Sequence, residues 1–132
     1  MTEGSSARPA ILVSACLLGV RCNHRGQANP SDVARALESR YRLIPVCPEM
    51  MGGLATPRPA AERHSDGRVV TNGGVDVTDA FERGARATVE LARAAFVTEA
   101  VLKARSPSCG DEGVTTVALR IAGVRVRSEE DV

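Results

Sequence analysis

The sequence predicts a single α/β domain, in which one mostly parallel sheet carries helices on both faces. The chain has 132 residues, which is the length of one domain. Hydrophobic residues make up 43% and charged residues 25%, as in ordinary globular proteins, so a disordered or fibrous chain is excluded. Strand patterns alternate with helix patterns along the chain, and this alternation favours a parallel sheet.

The domain is expected to span residues 10–132, after a polar and disordered tail over residues 1–9. This tail lacks the charged start and the long apolar stretch of a secretory signal, so we expect a cytoplasmic protein. The most apolar stretch, residues 11–20, is interrupted by Ser14 and Gly19. It is shorter than the ~20 residues that cross a bilayer, so no membrane segment is expected.

Residues 10–15 predict a first strand, because this apolar and partly β-branched run lacks helical spacing and suits burial on both faces. A helix should follow, with Asn29 as its cap, Pro30 at its first position and Asp32 near its N-terminal dipole. The inner face of this helix is predicted to consist of Val33, Ala36 and Leu37.

Residues 41–46 predict a second strand, and Pro45 indicates that its outer end is not hydrogen-bonded at the centre of a sheet. Strand, helix and strand together predict a βαβ unit, as in Rossmann-like folds. Residues 52–74 are rich in glycine and charge, which predicts a long connection, with a short strand at residues 68–70. Connections of this length are often functional.

The clearest helical pattern begins after Thr78, the predicted cap, and covers residues 79–96. Apolar residues recur there every three or four positions, at Phe81, Ala85, Val89, Ala92 and Phe96. The remaining elements are a short strand at 99–103, a helix at 114–121 and an edge strand at 124–126.

Charge and aromatic content weigh against nucleic acid as the main partner. The formal net charge is +1, so the chain lacks a general basic field. Its aromatic residues are only Tyr41, Phe81 and Phe96, which are too few to form a stacking platform for bases.

Three of the four cysteines follow predicted strands. Cys16 follows the first strand, Cys47 the second, and Cys109 lies in the turn after the strand at 99–103. The carboxyl ends of parallel strands share one edge of a sheet, which is where such folds bind ligands. In a reducing cytoplasm these cysteines are more readily metal ligands or reactive thiols than disulfides. The alternative is that Cys16 and Cys47 are merely small, buried residues.

The residues next to these cysteines indicate which kind of metal site they could form. No C-x-x-C pattern is present, so any metal ligands must converge through the fold. Turn residues beside the cysteines would leave backbone N–H groups free to stabilise thiolates or sulfides, which suits an iron-sulfur cluster.

Polar side chains near these cysteines are further candidates. Glu49 could enter the same pocket and move protons, although a solvated loop glutamate is the alternative. Ser106 and Ser108 could orient a substrate or merely close a turn around Pro107. His24 and His64 lie alone in polar loops and are interpreted as surface residues.

Four ordered motifs resemble the family catalogued as domain of unknown function 523, which includes thiouracil desulfidase. They read SACLLG from Ser14, CPEMMGGL with TPRP from Cys47, DVT from Asp76, and KARSPSCG from Lys103, and the resemblance spans residues 11–130. It implies a compact α/β domain with an oxygen-sensitive 4Fe-4S cluster. The implied ligands are Cys16, Cys47 and Cys109, with the fourth iron open to the sulfur of a thiolated substrate.

The resemblance also implies functional roles for Glu49 and Ser106. It makes Cys22 the least favoured ligand, and this side chain can point elsewhere because it lies inside the loop after the first strand. The sequence departs from the family pattern at residues 23–26, where a tyrosine-containing turn is usual, and at residues 111–112, where relatives have a longer loop.

The resulting hypothesis is an enzyme, a non-redox 4Fe-4S-dependent desulfidase. It would replace the sulfur of a thiolated pyrimidine or similar small thiocarbonyl substrate by oxygen. Glu49 would activate water or carry its proton, and Ser106 would hold the substrate. The alternative is a metal-binding or redox-sensing module, with a structural zinc or a cluster but no turnover. A cysteine-nucleophile hydrolase is disfavoured, because the sequence offers no well-placed histidine partner.

Overall fold

The computed structural model of the protein describes residues 8–132, so most of the predicted tail, residues 1–9, lies outside the described residues. One four-stranded sheet has the order β2-β1-β5-β6, and all of its strand pairs are parallel. A second, antiparallel pair joins β3 to β4. The strands are β1 Ala10–Ser14, β2 Arg42–Val46, β3 Ala61–Arg63, β4 Val69–Thr71, β5 Glu99–Leu102 and β6 Arg125–Ser128.

The described residues form four α-helices among these strands: α1 Asp32–Ala36, α2 Pro48–Met51, α3 Thr78–Ala94 and α4 Val114–Ile121. Short 3-10 turns occur at Ala15–Leu18 and Leu37–Ser39. None of the helices in residues 8–132 is long and apolar enough to cross a membrane. The predicted α/β class with a mostly parallel sheet is therefore confirmed.

Both faces of the sheet are covered, because alternate residues of β1 enter separate cores. Leu12 packs with Ala92 of α3 and Leu119 of α4 on one face. Ile11 and Val13 pack on the other face, with residues of α1 and its neighbouring turns. Every residue of β1 is buried, as the unbroken apolar run predicts for a central strand.

The start and the inner face of α1 differ from the prediction. Ser31, and not Asn29, is the cap, because its hydroxyl accepts a hydrogen bond from the Ala34 backbone N–H at 3.1 Å. This start places Ala34 and Leu37 inside, whereas Val33 is 46% exposed and Ala36 is also exposed. Ser31 is the N-cap because the capping oxygen must reach a backbone N–H three residues ahead.

The long helix α3 is confirmed, but both of its ends were predicted wrongly. Thr78 is its first residue and not a cap, since its hydroxyl accepts a hydrogen bond from the Val69 backbone N–H at 2.9 Å. The helix ends at Ala94, and Phe96 follows in a left-handed conformation with φ of 57°. Phe96 is 90% exposed, so it does not continue the inner face.

The connection between α2 and α3 contains one strand more than predicted. The strand expected at 68–70 is β4, and β3 pairs with it. The sequence of β3, AER, carries no alternation that distinguishes it from a loop. Both outer strands agree with expectation, because β2, which contains Pro45, and β6 form the two edges of the sheet.

Candidate active site

One cavity of about 480 Å³ opens at the carboxyl edge of the sheet, and all four cysteines line it. Cys16 lies on the turn after β1, Cys47 follows β2, and Cys109 lies in the loop after β5. Because these three strands are adjacent, their ends deliver the three thiols to one place. The structure thus brings together the residues that the sequence singled out, and all four cysteines are free.

Cys22 does not point elsewhere, although its position inside the loop would allow it. Its side chain is 2% exposed and lines the same cavity beside Cys47. The Cys47 thiol donates to the Cys22 carbonyl oxygen over 3.7 Å, from Sγ to O. The loop after the first turn therefore folds back into the site and does not leave it.

Burial raises the pKa of three of the four cysteine thiols. It raises the pKa of Cys16 to about 11, with smaller contributions from Cys109 and Cys47, while Lys103 acts in the opposite direction. Burial likewise raises the pKa of Cys22 to about 12 and that of Cys109 above its ordinary value. Burial thus favours the neutral form of Cys16, Cys22 and Cys109, and a bound cation would favour their thiolates.

The Cys109 loop differs in one respect from the sequence-based picture. We expected free backbone N–H groups beside the thiol, but the N–H groups of Ser108 and Cys109 both donate to Ser106 Oγ, at 3.2 and 3.0 Å. The Gly110 N–H donates to the Ser106 carbonyl at 2.8 Å. Ser106 therefore closes the turn that presents Cys109.

Helix α4 fixes the same loop from the other side. The first backbone N–H groups of α4 donate to loop carbonyls, from Val114 to Pro107 at 3.0 Å and from Thr115 to Ser108 at 2.9 Å. Helix N-termini have such unpaired donors, and here the loop satisfies them. Gly113 has no space for a side chain, because a Cβ would lie 2.5 Å from the Ser108 carbonyl.

Glu49 lies in the first turn of α2, directly after Cys47 and Pro48. Two glycines bring this short helix against α3. A Cβ on Gly52 would lie 1.9 Å from the Ala80 carbonyl oxygen, and one on Gly84 would lie 1.9 Å from that of Pro48. The two backbones touch, so the long helix fixes the position of Glu49.

The Glu49 carboxylate has a protein partner on each oxygen. Arg58 Nε donates to Oε1 at 2.7 Å, and the Ser108 hydroxyl donates to Oε2 at 3.0 Å. The Arg58 and Glu49 side chains are only 7% and 13% exposed. Glu49 is therefore a fixed part of the cavity wall and not a solvated loop residue.

Ser106 and Ser108 form a short chain of hydroxyls that ends at Glu49. Their Oγ atoms are 3.1 Å apart. Since Ser108 donates to Glu49, the Ser106 hydroxyl is the donor in the bond between the two serines. Ser108 is 2% exposed, whereas Ser106 is partly exposed at the cavity.

Sequence reasoning missed Arg58 as a site residue. The TPRP motif contains Arg58, but the sequence assigns no role to this residue, and it favours Ser106 over Ser108 as a functional residue. A buried carboxylate needs a charged partner, and this requirement was the available signal. His24 is exposed but borders the cavity, whereas His64 does not line it.

Donor chemistry decides what the cavity could hold. Within residues 8–132, no three His, Cys, Asp or Glu side chains are grouped closely enough to hold a single metal ion. A cubane cluster has several irons and holds its thiolates farther apart than one ion does. The three strand-end thiols, Cys16, Cys47 and Cys109, are the ligand type that such clusters take.

Known proteins resemble this chain over nearly its whole length. The chain is 34% identical to an uncharacterised protein of Bacillus subtilis strain 168, YbbK, over an alignment that covers 92% of this chain and 97% of that protein. It is also similar to the solved structure of TudS, described as a 4Fe-4S-dependent thiouracil desulfidase, with a TM-score of 0.87 and 40% identity. That match covers 95% of this chain and 93% of the other. The model of the 2-thiouracil desulfurase family matches residues 11–131, and the chain belongs to this family.

Proposed function

We propose that this protein is a 4Fe-4S-dependent desulfidase, which converts a small thiolated pyrimidine and water into the oxo compound and hydrogen sulfide. The carbon-sulfur bond is replaced by a carbon-oxygen bond, with no net change of oxidation state. One observation carries the proposal: Cys16, Cys47 and Cys109 converge on one cavity, in which Glu49 is fixed beside them. The family and the resemblance to TudS support it.

The donor set of this cavity fits an iron-sulfur cluster. Cys16, Cys47 and Cys109 would hold three irons, and an iron without a protein thiolate would supply a Lewis acid for the substrate sulfur. Because burial raises the pKa of Cys16 to about 11, cluster binding would release protons from the thiols.

The chain's own residues would provide the acid-base chemistry. Arg58 and Ser108 hold the Glu49 carboxylate in the cavity wall, where it can take a proton from the attacking water. The Ser106 hydroxyl lines the cavity, accepts two backbone N–H groups and donates to Ser108, so it can pass a proton through Ser108 towards Glu49. It can hold the substrate where a substrate group replaces one of these partners. We propose Glu49 and Ser106 as catalytic residues, with Ser108 between them.

The substrate would be a small thiocarbonyl compound. A volume of about 480 Å³ lies in the range of ligand pockets, ~300 to 1,000 Å³. Polar side chains at the rim, among them Asn23, Gln27 and Asn29, can hydrogen-bond to ring nitrogens and oxygens. Free thiols and an oxygen-sensitive cluster also favour a reducing compartment such as the cytoplasm.

Anaerobic purification, followed by a visible spectrum and by iron and sulfide analysis, is the first test. We expect a brown protein that converts 2-thiouracil to uracil, releases one hydrosulfide per uracil and needs no electron donor or acceptor. In water labelled with oxygen-18, uracil should carry the label. A colourless protein with one bound zinc, or a cluster-loaded protein that releases no hydrosulfide from thiouracils or thionucleosides, would favour the binding or sensing module.

Glu49→Gln separates catalysis from cluster binding. The amide keeps the shape of the side chain and removes the group that takes the proton. Turnover should fall by ~100-fold or more, since general acid-base catalysis contributes ~100- to 10,000-fold. The visible spectrum should stay unchanged. Full turnover in this variant would exclude acid-base work by Glu49.

A further inference from the structure

Arg58 enters the cavity from the long connection that follows α2. Its backbone N–H donates to the His24 carbonyl at 2.8 Å, so the connection is bonded to the loop that carries Cys22. The Arg58 side chain lies in the cavity wall and is 7% exposed. A guanidinium buried to this extent requires several partners.

The guanidinium joins three separate segments of the chain. Its Nε bonds Glu49 Oε1 at 2.7 Å, and one terminal nitrogen bonds the Cys22 carbonyl at 2.9 Å. The other terminal nitrogen bonds Thr56 Oγ1 at 2.9 Å. A planar fork can make these bonds at once, whereas the ammonium of a lysine cannot reach all three sites.

Glu49 depends on this contact for its orientation. Its side chain has three rotatable bonds, and among residues 8–132 only Ser108 holds the other carboxylate oxygen. Without Arg58, the carboxylate would keep one neutral partner and could rotate towards water. The charge of a nearly buried carboxylate would then lose its compensating partner.

We propose that Arg58 is a positioning residue, which fixes the Glu49 carboxylate in the orientation that proton transfer requires and ties it to the Cys22 loop. This inference rests on the proposed desulfidase function. Arg58 acts through Glu49, so its loss should slow turnover more than it weakens substrate binding.

The test compares Arg58→Met and Arg58→Lys with the wild type, as anaerobically purified, cluster-loaded proteins acting on 2-thiouracil. Arg68→Met is the matched control, because Arg68 pairs with Asp66 at 2.8 Å where both side chains are more than half exposed. We expect Arg58→Met to keep its iron content and visible spectrum and to keep KM within about twofold. Its kcat should fall by about 10- to 100-fold, the scale of a catalytic group misplaced by ~1 Å. The kcat of Arg58→Lys should lie between those of Arg58→Met and the wild type, and Arg68→Met should have the kcat of the wild type.

A double variant distinguishes positioning from a general structural effect. If Arg58 acts through Glu49, Glu49→Gln combined with Arg58→Met should be no slower than Glu49→Gln alone. Each of four outcomes would overturn the inference: losses of kcat that multiply in the double variant, an unchanged kcat in Arg58→Met, a rise in its KM alone, or loss of the cluster in both Arg58 variants.

Crystal structures provide a readout that does not depend on activity. In anaerobic crystals, the Glu49 carboxylate of Arg58→Met should leave its wild-type orientation, with the oxygen that Arg58 holds turned towards solvent, and an unmoved carboxylate would overturn the inference. If the wild-type protein releases no hydrosulfide, the proposed function fails, and the position of Glu49 in these crystals still shows whether Arg58 holds it.

Discussion

Replacing Cys22 by Ala tests whether three thiols or four hold the proposed cluster. The family resemblance implies three, and the structure makes the question sharper, because Cys22 lies beside Cys47 inside the cavity. A fourth thiolate would leave no iron open to the substrate. The Lewis-acid role would then be lost.

The structure predicts a small cost for this substitution. The carbonyl oxygen of Cys22, which accepts from Arg58 and Cys47, remains in the alanine variant. Only a buried sulfur is removed, which costs about 1 kcal/mol. For a domain of this size, that cost lowers Tm by about 4 °C. The variant should therefore fold and reach normal yield.

Iron and acid-labile sulfide per chain provide the assay, with Cys47→Ala as the neighbouring control. We expect Cys22→Ala to retain about four irons and its desulfidase turnover. Cys16→Ala, Cys47→Ala and Cys109→Ala should each fail to hold a stable cluster. Equal loss of iron in all four variants would indicate a closed four-thiolate site and refute the open-iron mechanism. Loss in Cys22→Ala alone would refute the assignment of Cys16, Cys47 and Cys109 as ligands.

Three further changes probe the framework around the site. Ser106→Ala should lower both turnover and stability, because the hydroxyl accepts hydrogen bonds from two backbone N–H groups. Ser106→Thr should retain stability, and equal Tm values for the two variants would contradict this prediction. Gly84→Ala should destabilise by about 2 kcal/mol in urea unfolding, despite the higher helix propensity of alanine, because its Cβ would meet the Pro48 carbonyl. Gly73→Ala is the control, because its Cβ would meet only Thr71 Oγ1 at an ordinary contact distance of 3.9 Å, and a stabilised Gly84→Ala would refute the close contact. The cluster-free protein should lose stability as pH rises from about 9 to about 11. Burial raises the pKa of Cys16 from 9.0 to about 11, so in this range the folded state retains a proton that the unfolded state releases. Thermal unfolding measured as a function of pH should show this dependence, and Cys16→Ala should weaken it.

The sheet could be predicted because its strands carry strong local signals. The apolar run of β1 and the spacing in α3 each indicate one type of element, and α4 has the predicted bounds, Val114–Ile121. Helix caps were harder to predict, because several polar residues near one start compete for the same role. At α1, Ser31 has the suitable spacing, and Asn29 instead accepts a hydrogen bond from the Asn23 side chain at 3.2 Å.

Long-range contacts within the site could not be predicted from local patterns. Nothing in the sequence near Arg58 indicates that its side chain reaches both Glu49 and the Cys22 carbonyl. The position of Cys22 likewise depends on where its loop folds back. Strand ends, by contrast, share one edge by topology, so the convergence of Cys16, Cys47 and Cys109 followed from the βαβ pattern.

The order of strands determines how the site is assembled. Cys16 follows the central strand β1, and its two neighbours β2 and β5 contribute Cys47 and Cys109. Each thiol comes from a different strand, so the three meet only after the parallel sheet has formed. Glu49 follows Cys47 by two residues, so the strand that delivers a ligand also delivers the proposed base. Cluster binding and catalytic geometry therefore depend on the same strand pairing, and a change that shifts β2 against β1 should disturb both together.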